Sequence, residues 1–170
     1  PAGMLAAANA ARNGHQVTLF ERNEKLGKKL YITGKGRCNV TNVADRDAFF
    51  EHVLRNPRFL YSAFSHFDNK ALMERIEQAG VPLKTERGGR VFPVSDKSSD
   101  ILRACEKIVR ESGVTVRLNT RVEEIFTQDG AVSGIRADGK TLACDAVVVA
   151  TGGISYPQTG STGDGYTFAR

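Results

Sequence analysis

The sequence RVEEIFTQDGAVSGIRADGKTLACDAVVVATGG, at residues 121–153, decides the fold of the chain. It contains three segments rich in β-forming residues, RVEEIFTQ, AVSGIRA and KTLACDAVVVA. The dipeptides Asp129-Gly130 and Asp138-Gly139 separate them, and such pairs favour tight hairpin turns because both residues accept positive φ angles. The pattern predicts three consecutive antiparallel strands, a β-meander.

The last of these segments changes character along its length. It begins with alternating polar and apolar residues, becomes wholly apolar at 147–149, and ends in the sequence ATGG at 150–153. Strands inside a parallel sheet are covered on both faces and are therefore apolar throughout. We predict that this segment continues to Ala150 as a buried parallel strand.

The N-terminal residues read PAGMLAAANAARNGHQVTLFE and predict a helix, a capping Gly14 and a short strand. This is the second half of a dinucleotide-binding βαβ unit, with Gly3 as the third glycine of GxGxxG. Glu21 follows Gly3 by 18 residues, close to the spacing of the ribose-binding acid. Any αβ unit with an alanine-rich helix gives the same pattern. The unit's first strand and leading glycines are missing from the sequence, so we expect an N-terminally truncated domain.

Residues 43–97 interrupt the dinucleotide-binding pattern, and we predict that they form an inserted segment, an excursion made of helices and a hairpin. Phenylalanines recur at helical spacing up to Phe67, and we interpret them as core rather than as a cofactor contact. A helix capped by Asn69 and ended by Gly80 follows, and a hairpin turning at Gly88-Gly89 comes next. A further helix is predicted from Ser98 or Ser99, and the segment TVRL after it predicts a strand. The fold class is therefore α/β, with residues 1–170 forming one partial domain.

A polar loop, TGKGRCNVTN, occupies residues 33–42. Gly34 and Gly36 allow the main chain to approach a ligand closely, and Arg37 offers a planar fork suited to phosphate or carboxylate. Residues 27–42 contain four positive charges and no acid. A solvated surface loop would have the same composition, but the flanking segments favour contact with a nucleotide.

Composition limits the classes of protein. The 170 residues carry a net charge of +5, which permits an anionic partner such as a nucleotide or RNA. No apolar run approaches the roughly 18 residues of a membrane span, and we expect no signal peptide because the chain opens on a helix. Three widely spaced cysteines, Cys38, Cys105 and Cys144, argue against a disulfide framework or a zinc knuckle. We therefore expect reduced thiols, a cytoplasmic location, no bound metal and no obligate protein partner.

Four segments spread over the chain carry a resemblance to a known family: PAGMLAA, GKKLYITGKGRCNVTN, GGRVFPVSDKSSD and VVVATGGISYPQTGSTGDGY. The chain resembles the BaiN/RdsA (YhiN-type) family of NAD(P)/FAD-dependent oxidoreductases, from the flavoproteins with two dinucleotide-binding domains. The resemblance implies a Rossmann-like FAD-binding domain, FAD as cofactor and NAD(P)H as electron donor. It also implies that the sequence covers about the first two-fifths of such an enzyme, without the substrate domain or the C-terminal flavin segment.

The resemblance implies specific cofactor contacts. Gly3 would pack at the pyrophosphate turn, Glu21 would hold the adenosine ribose, Val122 would meet the adenine through its backbone, and residues 150–153 would line the cofactor. The full set of implied cofactor-binding residues is Gly3, Glu21, Arg22, Lys28, Lys29, Thr33, Gly34, Gly36, Arg37, Cys38, Asn39, Thr41, Asn42, Val122, Ala150, Thr151, Gly152, Gly153, Gly163 and Asp164.

The chemistry would belong to the flavin. Lys35 and Arg37 are candidates for cations that stabilise negative charge on the reduced ring. Cys38 is either a redox thiol with a pKa lowered by Arg37 or, as we prefer, a packed thiol beside the flavin. Ser155 and Tyr156 are candidates for facing the substrate, and the sequence assigns no catalytic acid or base.

Two alternatives from other classes remain, a NAD-only Rossmann dehydrogenase and a non-catalytic basic module that binds RNA. The meander followed by ATGG argues against the first, and the lack of a basic stripe interleaved with aromatic residues argues against the second. Family activities include reduction of bile-acid-type intermediates and of uridine in ribosomal RNA, so the substrate is either a small molecule or RNA. Because the glycine turn before Gly3 and the flavin wall are missing, we expect the isolated chain to bind FAD poorly.

Overall fold

The computed structural model describes residues 1–169, and the chain divides into two compact units. The first unit comprises residues 1–29 together with those from 105 onward, and the second comprises Leu30–Ala104. The excursion predicted at 43–97 lies inside the second unit. No helix in the described part of the chain combines the length and the apolar character that crossing a bilayer requires.

Most of the regular elements are short helices and short strands. The helices are α1 (Ala2–Arg12), α2 (Lys28–Ile32), α3 (Arg46–Glu51), α4 (Tyr61–His66), α5 (Asn69–Gln78), α6 (Ser98–Glu111) and α7 (Asp164–Phe168). The strands are β1 (Thr18–Phe20), β2 (Thr41–Asn42), β3 (Leu83–Glu86), β4 (Arg90–Pro93), β5 (Thr115–Arg117), β6 (Val122–Gln128), β7 (Ala131–Ala137) and β8 (Lys140–Ala143). Short 3-10 turns occur at Thr33–Gly36, Pro57–Leu60 and Pro157–Thr159.

Helix α1 confirms the N-terminal prediction. Its buried residues Met4, Ala7 and Ala8 recur at helical spacing and form one apolar face. The helix ends at a C-cap, Asn13, and Gly14 follows with a φ of 89°. This is the left-handed backbone that glycine adopts most easily after a helix.

Strands β1 and β5 form a parallel pair, with Thr18 opposite Thr115 and Phe20 opposite Arg117. The pairing extends one residue past β1, because the Glu21 amide donates to the Arg117 carbonyl at 2.9 Å. The Glu21 carbonyl in turn accepts from the Thr120 amide at 3.0 Å. Both the backbone amide and the backbone carbonyl of Glu21 are thus hydrogen-bonded.

The predicted meander is confirmed, since β6, β7 and β8 pair antiparallel in that order. Asp129 and Asp138 both adopt positive φ angles, as do the glycines that follow them, which fits the expected tight turns. Within β7, Gly134 lies so close to β8 that a Cβ there would stand 2.7 Å from the Leu142 carbonyl oxygen. Glycine is therefore required at this point of close backbone approach.

The prediction of a buried strand reaching Ala150 is wrong. Strand β8 ends at Ala143, and Cys144 makes the last hydrogen bond to β7, from its amide to the Ser133 carbonyl at 3.4 Å. Within residues 1–169, the segment 145–150 pairs with no strand. Val148 is 72% exposed and Val149 is 47% exposed. A valine run forms a strand only beside a chain that accepts its backbone hydrogen bonds, and the described residues provide none there.

In the second unit, β3 and β4 form the predicted hairpin, and β2 pairs with the other edge of β4. The register places Thr41 opposite Val91 and Asn42 opposite Arg90. Val91 and Phe92 are buried, so the central strand supplies the core of this small sheet. The addition of β2 was not predicted, because two residues are too few to show a strand pattern.

The helical part of the second unit corrects two predictions. Phe49, Phe50 and Phe64 are half-buried and pack on one another, as expected for core, but Phe59 is 84% exposed. The cap of α5 is Asp68, whose carboxylate accepts from the Ala71 amide at 2.8 Å. Asn69, predicted as the cap, is the first helical residue.

Helix α6 starts at Ser98, as predicted. The Ser98 hydroxyl donates to the Tyr31 carbonyl at 2.7 Å. One face of the helix is buried, and it comprises Ile101, Ala104, Cys105, Ile108 and Val109.

Candidate functional site

In the first unit, the acid predicted to bind ribose stands directly after β1 and is half-buried. Oε1 of Glu21 accepts from the Asn23 amide nitrogen at 2.9 Å and from the Asn23 side-chain Nδ2 at 2.7 Å. Among the described residues no hydrogen bond uses Oε2. The carboxylate is therefore held at Oε1, while Oε2 has no hydrogen-bond partner among the described residues.

Gly3 lies at the start of α1 and permits a close approach within the first unit. A Cβ at this position would stand 3.2 Å from the Ala150 Cβ and 3.6 Å from Cδ1 of Leu19. The contact with Leu19 would be an ordinary one, whereas Ala150 would have to shift by a few tenths of an ångström to admit a Cβ. Two residues that the sequence places 147 positions apart are thus neighbours, as expected for a glycine that allows a helix to pack closely.

The segment after Ala150 is held by short polar contacts. Oγ1 of Thr151 accepts from the Gly165 amide at 3.1 Å, in the first turn of α7. Gly152 has a φ of 76°, and a Cβ on it would stand 3.3 Å from Oγ of the buried Ser161. Gly163 caps α7 with a φ of 84°. The glycines at 152 and 163 are therefore needed for the backbone path, whatever ligand lies beside them.

Arg22 and Asp164, both predicted to contact the cofactor, contact each other. Nη1 of Arg22 lies 3.5 Å from Oδ2 of Asp164 and donates to Thr162 Oγ1 at 2.7 Å. Nη2 of Arg121 approaches Oδ1 of the same aspartate at 3.5 Å. Sequence reasoning missed Arg121, because it lies far from Arg22 along the chain and belongs to no recognised pattern.

The two lysines at 28 and 29 have different partners. Lys28 forms an ion pair with Glu24 at 2.8 Å, four residues earlier and before the start of α2. Nζ of Lys29 donates to the Ser155 carbonyl at 3.1 Å and to Ser155 Oγ at 3.0 Å. Lys29 thus holds the segment that follows ATGG.

Two other residues named in the sequence analysis lie elsewhere in the first unit. Tyr156 adopts a φ of 57° and is largely exposed. Val122 is half-buried at the start of β6.

In the second unit, the loop at 33–42 turns through left-handed backbone. Gly34, Lys35, Gly36 and Cys38 all have positive φ angles. A Cβ on Gly34 would stand 2.8 Å from the Asn39 amide nitrogen, so only glycine fits. This agrees with the predicted role of Gly34 as a residue that permits close approach, although here the approach is to the loop's own backbone.

Arg37 is engaged by acids of the same unit. Its Nε donates to Oδ1 of Asp96 at 2.8 Å, its Nη2 pairs with Glu86, and its guanidinium carbon lies 4.2 Å from the centre of the Phe92 ring. Lys84 completes the cluster by binding Asp96 at 2.7 Å. The Arg37 guanidinium lowers the pKa of Glu86, and the Lys84 ammonium followed by Arg37 lowers the pKa of Asp96. The positive charge of Arg37 is thus balanced locally, and its contact with a cofactor stays a prediction.

The expectation that Arg37 lowers the pKa of the Cys38 thiol is wrong, and a redox role for this residue stays an untested hypothesis. The side chain is only 3% exposed, and burial raises the pKa of the thiol, an effect partly opposed by a hydrogen bond with Thr33. Arg37 directs its charge at carboxylates instead. The alternative of a packed thiol agrees with the burial, whereas its proximity to a flavin stays a prediction.

The remaining polar side chains of the loop bind its own backbone or neighbouring segments. Thr33 Oγ1 donates to the Leu30 carbonyl at 2.7 Å, and Asn42 Nδ2 donates to the Gly88 carbonyl at 2.7 Å. The side-chain amide nitrogen of Asn39 donates to the Thr41 carbonyl at 3.0 Å. These short side chains shape the loop, a role that their composition alone did not distinguish from ligand binding.

Comparison with known proteins agrees with this architecture. The model of the HI0933-like protein Rossmann domain family matches residues 1–170. The 3-dehydro-bile acid delta(4,6)-reductase of Clostridium scindens is 37% identical over 171 residues, covering 99% of this chain and 41% of that protein. The ribosomal RNA dihydrouridine synthase of Escherichia coli is 29% identical over 168 residues, with 99% and 41% coverage.

Among solved structures, THI4 of Thermovibrio ammonificans matches with a TM-score of 0.54 at 16% identity, covering 81% of this chain and 44% of that one. This likeness concerns the fold alone. The chain spans about two-fifths of the length of the two curated relatives. Since the family model extends over the whole chain, the protein belongs to the HI0933-like Rossmann domain family.

Proposed function

We propose that this chain forms the FAD-binding part of an oxidoreductase for which NAD(P)H is the electron donor. The observation that carries the proposal is the carboxylate of Glu21 at the end of β1, held by Asn23 at Oε1 and with no hydrogen-bond partner for Oε2 among the described residues. This is the place in a dinucleotide-binding fold where an acid accepts a hydrogen bond from a ribose hydroxyl.

The residues around Glu21 fit such a cofactor. Gly3 brings the start of α1 close to Ala150, since a Cβ on Gly3 would stand 3.2 Å from the Ala150 Cβ, a tight contact. The aligned peptide dipoles of an 11-residue helix favour an anionic group at its N-terminus. A glycine at the helix start and an acid at the strand end are what an adenosine diphosphate moiety requires from the protein.

FAD, when bound, supplies the capacity to pass a hydride between the electron donor and the substrate. In the first unit, Glu21 would accept a hydrogen bond from a ribose hydroxyl. Lys29 holds the segment around Ser155 in place through two hydrogen bonds. In the second unit, Lys35 extends from the left-handed part of the loop as an exposed cation, which favours negative charge on a ligand. Arg37 orders this loop through its carboxylate partners.

The substrate is either a small molecule or RNA. The names of the two curated relatives refer to substrates of different classes, a bile acid and ribosomal RNA. The net charge of +5 favours an anionic substrate such as RNA. The buried Cys38 thiol and the absence of a disulfide among residues 1–169 are consistent with the cytoplasm.

The test is flavin binding by the protein expressed from its complete reading frame. We expect flavin absorbance on purification, and FAD should bind again after it has been removed. Glu21→Ala should weaken FAD binding by about 1.5–3 kcal/mol, the value of a hydrogen bond to a charged group, or roughly 10- to 150-fold in Kd. Glu111→Ala is the control, because this exposed acid at the end of α6 belongs to none of the implied cofactor contacts.

The alternatives give different results. NAD binding without any flavin would replace the proposal with a NAD-only dehydrogenase. RNA binding with a steep salt dependence and no flavin would replace it with a basic RNA-binding module. An unchanged Kd for FAD in the Glu21→Ala variant would remove this residue from the ribose site.

A further inference from the structure

Asn23 is a half-buried residue that belongs to none of the predicted cofactor contacts. It lies two residues after Glu21, in the bend that follows β1. Its carbonyl accepts from the Asn119 amide at 2.9 Å, so its backbone is tied to the segment that follows β5. The position of its side chain is thus set by the parallel pair of strands.

Both hydrogens of the Asn23 side-chain amide are used. Nδ2 donates to Glu21 Oε1 at 2.7 Å and to the Thr159 carbonyl at 3.1 Å. The Asn23 backbone amide donates to the same carboxylate oxygen at 2.9 Å. Since a carboxylate oxygen has two lone pairs in its plane, Oε1 is saturated by these two donors.

The turn that accepts the second amide hydrogen is built to receive it. Residues Pro157–Thr159 form a 3-10 turn that ends at Gly160, which has a φ of 99°. A Cβ on Gly160 would stand 2.7 Å from Asn23 Nδ2, closer than real Cβ atoms approach. The chain therefore combines a left-handed glycine with an asparagine at the one place where the amide touches the turn.

We propose that Asn23 is a positioning residue for Glu21: it saturates Oε1 and thereby presents Oε2 alone to a single hydroxyl of the cofactor's ribose. This inference rests on the proposed function, since it concerns the same ribose contact. An unsupported carboxylate rotates between several orientations, and holding one oxygen removes that freedom before the ligand binds. Glu21 then accepts one hydrogen bond from the ribose rather than bridging two hydroxyls.

A purely structural role for Asn23 would be to hold the 157–160 turn through the Thr159 carbonyl. The two roles make different predictions about coupling. If Asn23 acts through the carboxylate, its removal has no further effect on the ligand once the carboxylate is gone. If it acts through the turn, its effect persists whether or not the carboxylate is present.

The experiment is a double-mutant cycle on FAD binding, with the protein expressed from its complete reading frame. We expect Asn23→Ala to raise the Kd for FAD about tenfold, as for loss of a hydrogen bond to a charged group. Asn23→Ala combined with Glu21→Ala should bind FAD within about twofold of Glu21→Ala alone, which is within the uncertainty of additivity. Gln158→Ala, an exposed change in the same turn, should leave the Kd unchanged.

Thermal unfolding of each variant accompanies the cycle. If Asn23→Ala fails to fold, Asn23→Leu takes its place, because it has a similar side-chain shape and removes both donated hydrogens without placing a second negative charge beside Glu21. If the fold changes in Kd caused by the two single substitutions multiply in the double variant, the proposal is overturned and Asn23 has a structural role only. Failure of the unmodified protein to bind FAD would instead overturn the proposed function, so the two failures are distinguishable.

Discussion

Strand β1 and the segment at 145–150 both belong to the first unit, and both were predicted to be strands that end beside the cofactor. β1 is only three residues long, yet it pairs with β5 in register and continues the pairing at Glu21. The segment at 145–150 is more apolar, yet it pairs with nothing in the described chain and exposes Val148. An apolar sequence is therefore a weaker determinant of a strand than the presence of a partner edge.

The largest expected effect tests this contrast by side-chain truncation. Leu19 is half-buried in β1, and its Cδ1 lies 3.6 Å from the position that a Cβ on Gly3 would occupy. Leu19→Ala should therefore lower the free energy of unfolding by about 2 kcal/mol. Val148→Ala, the matched change in the unpaired segment, should change it by no more than about 0.5 kcal/mol. Denaturant unfolding of both variants is the measurement. Equal losses would mean that the segment at 145–150 is packed, and the contrast would fail.

A smaller effect concerns the sheet that leads into the unpaired segment. Gly134→Ala would place a Cβ 2.7 Å from the Leu142 carbonyl oxygen, and β7 and β8 would have to separate there. We expect a loss of about 1–2 kcal/mol in the free energy of unfolding, the range for overpacking. Ser133→Ala, an exposed neighbour on β7, is the control and should be close to neutral. Unchanged stability of Gly134→Ala would show that β8 is as loosely held as the residues after it.

The smallest effect reports where the chain leaves the sheet. Burial, and to a lesser degree Asp145, raises the pKa of the Cys144 thiol, so less thiolate is present at a given pH. Its reaction with a thiol reagent in the native protein should therefore keep accelerating above the usual thiol pKa of about 8.5. Buried Cys38 should react more slowly still, and three thiols should titrate after denaturation. Only one reactive thiol in the denatured, non-reduced protein would contradict the reduced state.

Features decided by neighbouring residues were predictable from the sequence. The Asp-Gly pairs at 129 and 138 determine their hairpins locally, because each dipeptide itself favours the positive φ angles observed. The helix with a glycine near its start and an acid after the next strand was also predictable, since the spacing of Gly3 and Glu21 is characteristic. The position of a helix cap is less well determined by sequence, and Asp68 rather than Asn69 caps α5 because its carboxylate reaches the Ala71 amide.

Features decided by distant residues were not predictable. The acids that neutralise Arg37 lie 49 and 59 residues away, and no local pattern connects them to the loop. The same holds for Asn23, whose partner at Thr159 is 136 residues away. Composition therefore identified the loop at 33–42 as polar and cationic, but not the fact that most of its polar groups are satisfied by the protein itself.

The contact between Asn23 and Gly160 sets a rule for how this sequence can change during evolution. A side chain at 160 would place its Cβ 2.7 Å from Asn23 Nδ2, so the Asn23 amide would have to move away, and the φ of 99° would add backbone strain. In related chains, a non-glycine residue at the position of 160 should therefore accompany a smaller residue at the position of 23. The two positions are expected to covary although they lie at opposite ends of the chain, and an alignment of homologues would record the contact without any structure.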